Sequence, residues 1–161
     1  MSHPYLIALD HDRELAAEIG LLLSCYAIID LYIVHIFATL SGHKKDAATV
    51  VLSHIRGNSR RTELIRQLLE MSDRPQKNTE LELINSIDRA TRIRNKYAHA
   101  VYSQVDASST KWRMSMWLSD GGNRKKTFED FSRESIRADG DYIRGVLQSL
   151  SHFGSVEVAY E

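Results

Sequence analysis

Cysteine is almost missing from this chain of 161 residues: Cys25 stands alone. One thiol forms no internal disulfide and builds no Cys-x-x-Cys zinc knuckle, so a reducing compartment, the cytoplasm, is the expectation. Proline is nearly absent as well, at 2 residues, and glycine numbers 8, which excludes collagen-like and proline-rich repeats. No charge sign dominates, because Lys+Arg and Asp+Glu both number 21. A protein that coats nucleic acid by bulk charge is thereby excluded, while a local basic patch is not. The opening MSHPYLIALDHD has no basic segment leading into an apolar one, so no secretion signal is expected. What is present is ordinary for a soluble protein, 43% apolar and 26% charged residues. The length suits a single domain over residues 1–161.

The strongest pattern is Ile19 to Leu40, where only Gly20, Ser24, Asp30, His35 and Thr39 interrupt an apolar run. A helix from about Asp10 to Leu40 follows, with Ser41-Gly42 as its stop. Its length invites a membrane reading. Asp30 near the bilayer centre and His35 beyond it oppose that, so the expectation is no membrane and a helix buried on most of its circumference. A second helical region covers about Asp46 to Met71, broken at Gly57-Asn58-Ser59, with Asn58 or Ser59 available to cap the second piece. Thr79 and Glu82 form a T-x-x-E box that predicts the start of a third helix, run to about Tyr102. Trp112, Met114, Met116 and Leu118 then alternate with Arg113, Ser115 and Trp117, and Asp120-Gly121-Gly122-Asn123 reads as a hairpin turn. A last helix spans about Ser132 to Phe153, with Gly154 ending it. The predicted fold is all-α: a four- to five-helix bundle with one β-hairpin, approximately 111–128, inserted before the last helix.

Chemistry concentrates in Arg89 to Tyr102, RATRIRNKYAHAVY. Arg89, Arg92, Arg94 and Lys96 stand near the end of the third helix, and the next acid is Asp106. Asn95 and His99, four apart, share a helical face, and Arg92 falls on it too. Arg94 lies about 140° round the helix from His99. It can flank one groove with His99 or reach across to a partner chain. This set suits a phosphodiester. A guanidinium binds phosphate through a planar fork, an imidazole moves a proton near neutral pH, and an amide orients the imidazole or donates to a phosphate oxygen. No set of carboxylates neighbours the motif to hold a metal, so no metal and no cofactor is expected. Without a metal, the 2′-OH of RNA attacks its own phosphate, a route that cannot cut DNA.

Arg94-Asn95-Lys96-Tyr97-Ala98-His99 resembles the R-x4-6-H motif of the HEPN (higher eukaryotes and prokaryotes nucleotide-binding) superfamily, in which a polar residue, often Asn, follows the Arg. The resemblance covers the helical frame and places the motif at the C-terminal end of the third helix. It implies a metal-independent endoribonuclease, a toxin or defence effector, working as a homodimer whose two motifs meet in one cleft. It also implies a possible antitoxin or regulatory protein as partner. Other members are non-catalytic helical dimers that bind nucleotide, RNA or a protein, and this is the alternative reading. One branch carries R-x4-H-x-Y; here the tyrosine is Tyr102, one residue later.

The expected catalytic residues are Arg94, Asn95 and His99, and the expected RNA contacts are Arg92, Lys96 and Tyr102. His54, Arg56, Arg60 and Arg61 read as a solvated helix face, and Arg124-Lys125-Lys126 as an edge-protecting run. Asp30 is expected to meet an arginine of the third helix, Arg94 of a second copy among them. Glu14, Glu18, Asp30 and His35 lack the repeated E-x-x-H pattern of a bundle metal site.

Overall fold

The apolar run folds as one helix, α1 (Arg13–Ser41). A computed structural model gives the fold over residues 12–104, 112–120 and 123–153. Asp12 starts α1 by accepting the Leu15 backbone N–H on its carboxylate at 2.9 Å, an N-cap. Gly42 ends it with φ of 69°, a left-handed conformation that glycine adopts without steric cost. Along α1 the buried side chains Leu15, Ile19, Leu22, Tyr26, Ile29 and Ile33 recur at alternating steps of four and three. That spacing draws a single stripe. The helix is therefore not buried on most of its circumference: Leu21 (54% exposed), Ile28 (46%) and Leu31 (64%) face solvent. By length and composition alone, α1 is also long and apolar enough to cross a membrane.

Four further helices follow, α2 (Lys45–Ser53), α3 (Asn58–Glu70), α4 (Lys77–Ala98) and α5 (Arg133–Phe153). Three strands, β1 (Val101–Gln104), β2 (Trp112–Asp120) and β3 (Asn123–Phe131), form an antiparallel sheet in the order β1-β2-β3. The protein is thus mainly helical, with its strands placed before the last helix in the chain. The α2–α3 break falls at Gly57, whose φ of 84° suits glycine. Neither Asn58 nor Ser59 occupies the cap position there; Gly57 does. Helix α4 starts at Lys77, so Thr79 and Glu82 lie inside its first turns and not at its boundary.

The largest departure from expectation is at the far end of α4. The helix stops at Ala98 and residues Val101–Gln104 pair with β2, so the hairpin becomes a three-stranded sheet. Val101 and Tyr102 are good strand formers, and pairing with a segment ten or more residues later outweighs a helical spacing that Ala98 and Tyr102 also satisfy. The β2–β3 register sets Asp120 opposite Asn123. Gly121, Gly122 and Gly154 lie outside the described residues.

The chain divides into two compact units, Met1–Leu23 with Ile93–Asp141, and Ser24–Arg92 with Tyr142–Glu161. Helices α1, α4 and α5 each give a stretch to both. In the first unit, one sheet face buries Tyr102, Trp112, Met114 and Phe131. Phe131 meets Tyr97 and Tyr102 edge-on, at centroid distances of 6.4 and 5.9 Å. Arg133 grips both oxygens of Asp12 at 2.8 Å and also reaches Glu14, while Arg137 Nε donates to Glu18 at 2.7 Å. Ser132 and Ser135 cap the start of α5 reciprocally, at 3.1 and 3.3 Å.

The second unit holds a directed polar chain inside an apolar core. Thr91 Oγ1 donates to the Ile87 carbonyl at 2.9 Å, so its oxygen accepts from the Tyr26 hydroxyl at 2.7 Å. Tyr26 in turn accepts from Asn58 Nδ2 at 2.6 Å, whose second proton goes to Asp30 at 2.5 Å. Asn58 Oδ1 accepts from Arg61 at 3.2 Å. Every polar atom of the Asn58 amide is therefore matched. Within the chain, the expectation that Asp30 meets an arginine of α4 is corrected: its described partner is Asn58. Glu14 and Glu18 are engaged by arginines, and among the described residues no group of three or more His, Cys, Asp or Glu is placed to hold a metal ion.

Two outcomes follow. Asn58→Ala removes the donor to both Tyr26 and Asp30 and should lower the unfolding free energy in urea by about 2 kcal/mol. Burial alone would raise the Asp12 carboxyl, but the bonds from Arg133 and the Leu15 N–H outweigh it and hold it below the usual carboxylate value. A lowered native pKa gives stability that is fully present above about pH 4 and lost as pH falls through the native value. Asp12→Asn should accordingly be less stable than wild type at pH 7, with the difference closing in acid melts below about pH 4.

Candidate functional site

The R-x4-H segment occupies the last turn of α4 and the residue after it. Tyr97 anchors this turn. It is buried, and its hydroxyl donates to Asp139 on α5 at 2.7 Å. With Tyr97 inward, the 3.6-residue period carries Asn95 and His99 outward, and both are exposed. The His99 N–H closes the turn on the Asn95 carbonyl at 3.3 Å. Half-buried Arg94 directs Nη1 at Asn95 Oδ1, 2.9 Å away. The three expected catalytic residues thus stand on one helix end, with guanidinium and amide joined and the imidazole one turn beyond the amide.

The expected RNA contacts divide. Arg92 is exposed and belongs to the second unit. Lys96 is turned to the sheet, its Nζ 2.6 Å from Glu129 and 3.7 Å from Asp139, so two carboxylates offset its charge within the protein. Tyr102 is corrected from a cleft residue at a helix end to a core residue of β1. It is 7% exposed, and its hydroxyl donates to the Tyr97 carbonyl at 2.5 Å. Burial pushes its phenol far up; burial and then Asp139 do the same for Tyr97. Both phenols stay protonated at any working pH and act as donors, not bases. Sequence reasoning missed Glu129 and Asp139, which follow Lys96 by more than thirty residues and carry no motif.

A cavity of about 300 Å³ lies near the start of α4, walled by Thr79, Glu80, Leu83, Ser86 and Ser149 among others, and includes no residue of the R-x4-H segment. Its one buried carboxylate, Glu80, is already gripped by Arg74 at 2.7 Å. In the α2–α3 basic cluster, Arg61 bonds the Ile55 carbonyl and Asn58, whereas His54, Arg56 and Arg60 are exposed.

No protein-family model, no curated protein and no solved structure matches this chain.

The two ends of the segment should respond oppositely to substitution. Tyr102→Phe leaves the Tyr97 carbonyl without its donor and should cost about 1 kcal/mol in a denaturant melt. His99→Ala, on an exposed side chain, should stay within about 0.5 kcal/mol of wild type.

Proposed function

We propose that this chain is a metal-independent endoribonuclease of HEPN type, acting as a homodimer on RNA. The observation that supports it is the exposed helix end where Arg94 meets Asn95 and His99 stands one turn away. In this reading the RNA 2′-oxygen bonds to the adjacent phosphorus and the bond to the 5′-oxygen breaks. The products are a 2′,3′-cyclic phosphate and a 5′-hydroxyl. His99 takes the 2′-OH proton or protonates the leaving 5′-oxygen. Two copies meeting at the cleft supply one imidazole for each transfer. Arg94 offsets the charge that builds on the phosphate oxygens, and Asn95 holds the guanidinium in place. The exposed apolar side chains Leu21, Ile28 and Leu31 of α1 favour association with a second copy. A role as a cytoplasmic toxin or defence effector, held in check by an antitoxin or regulatory protein, belongs to the same reading.

The second reading is a non-catalytic dimer that binds nucleotide, RNA or a protein. What favours it is the engagement of Lys96 by Glu129 and Asp139, which leaves one cation fewer for substrate.

Purified protein incubated with end-labelled RNA separates the two. Cleavage in the presence of EDTA, cyclic phosphate ends and inertness toward the all-deoxy oligonucleotide are expected. His99→Ala should lose about 10²- to 10⁴-fold in rate while remaining folded. Unchanged turnover in that variant would falsify the site assignment.

A further inference from the structure

The sheet of the first unit has a second face that the motif does not use. Strand alternation sends Tyr102, Trp112, Met114 and Phe131 to the buried face and Val101, Arg113, Ser115, Phe128 and Asp130 to the other. On that other face, the register aligns Val101, Ser115 and Phe128 in one row across the three strands. Ser115 is small and buried (7% exposed), so the row has a low, covered centre between two more exposed apolar side chains. Phe128 is 62% exposed and Val101 38%. Lys126 Nζ sits 5.1 Å from the Phe128 ring centroid, and Arg113 pairs with Asp130 at 2.6 Å in the adjacent row.

We propose that this open face is a stacking platform for single-stranded RNA, with Phe128 as the ring on which a base lies. The proposal rests on the ribonuclease reading and extends it to the form of the substrate. The chemistry is that of aromatic side chains on sheet faces that accept unpaired bases, since every base has a π-face and stacking needs no sequence match. The cation held at the ring is within reach of the phosphate that follows a stacked base. A protein partner fits less well. Its anchors need a broad, desolvated apolar centre, and among the described side chains of this face one ring and a valine stand among an ion pair, a serine and a lysine. Placement supports the extension. Val101 follows His99 by two residues, a span of no more than about 7 Å, and Phe128 lies two strand spacings from Val101, about 10 Å. A strand of a few nucleotides bridges that distance, so a base on Phe128 would fix where the chain enters the R-x4-H segment. A double helix offers its bases to no ring on a flat sheet, which makes the expected substrate unpaired.

The test is fluorescence anisotropy with a labelled oligouridine, on full-length protein carrying His99→Ala so that the probe survives. Phe128→Ala should weaken binding by roughly 5- to 150-fold, the range measured for one stacked base. Phe128→Tyr and Phe128→Trp should bind within about two-fold of the parent, whereas Phe128→Leu, apolar but without a π-face, should weaken it like alanine. A duplex of the same length should bind no differently in any of these proteins. Equal affinity of the alanine and phenylalanine proteins, the result a protein-docking face gives, overturns the proposal. So does a leucine variant equal to the parent, or an absence of oligouridine binding altogether. Cleavage by the protein with His99 intact is scored separately. RNA that is bound through Phe128 but never cut removes the nuclease reading and keeps the platform; RNA that is cut with no dependence of affinity on Phe128 does the reverse.

Discussion

The contact that most shapes this protein is the hydrogen bond from the Tyr102 hydroxyl back to the Tyr97 carbonyl. The last four carbonyls of a helix have no partner within it. At the end of α4, the Asn95 carbonyl is taken by the His99 N–H and the Tyr97 carbonyl by a tyrosine from the strand that follows. The chain therefore turns immediately after the helix, and β1 runs beside the last turn it has left. Phe131 closes the arrangement by meeting both tyrosines edge-on. A buried phenol without a partner would cost about 1–3 kcal/mol, so the pairing also fixes the register in which β1 meets β2.

Much else in the first unit is a consequence. Tyr97 faces inward to Asp139, and a helical period then leaves no choice for its neighbours: Asn95 and His99 go outward, and Lys96 lies along the sheet against Glu129. The same aromatic anchoring that ends the helix exposes the imidazole and neutralises the adjacent lysine. Local charge at the motif is accordingly lower than the run of four basic residues suggests. What the motif presents is a guanidinium steadied by an amide and an exposed histidine just past the helix end.

Legibility in the sequence followed the range of the interactions. Helices α1, α3 and α5 were readable because their apolar periods are long and local, and β2 because Trp112, Met114 and Met116 alternate. The motif was readable for the same reason, since Asn95 and His99 are one turn apart. What could not be read was set at a distance. Strand β1 is only four residues long and is strand because of β2. Val101 and Tyr102 fit a helix equally well in isolation, so local spacing alone extends α4 to Tyr102 and puts that residue at a helix end. The partners of Lys96, and of Asp30, come from segments that no spacing rule connects to them. The exposure of Leu21, Ile28 and Leu31 is not legible either, because an apolar composition states what a helix tolerates, not how much of it neighbours cover.

The polar chain of the second unit shows how that part of the molecule selects one packing. An apolar core built from Ile29, Ile33, Ile65, Ile84 and Ile87 would accept several rotations of its helices at similar energy. Thr91, Tyr26 and Asn58 remove that freedom, because each hydroxyl has a single proton and the order of donors is forced once Thr91 commits its own to Ile87. Any slip of α1 along α4 breaks the buried Tyr26–Thr91 bond, and any slip of α3 breaks the part-buried bonds from Asn58. Asp30 gains this partner only in that packing, which explains how an acid is tolerated in the middle of the most apolar helix: its half-buried carboxylate accepts from the Asn58 amide of α3.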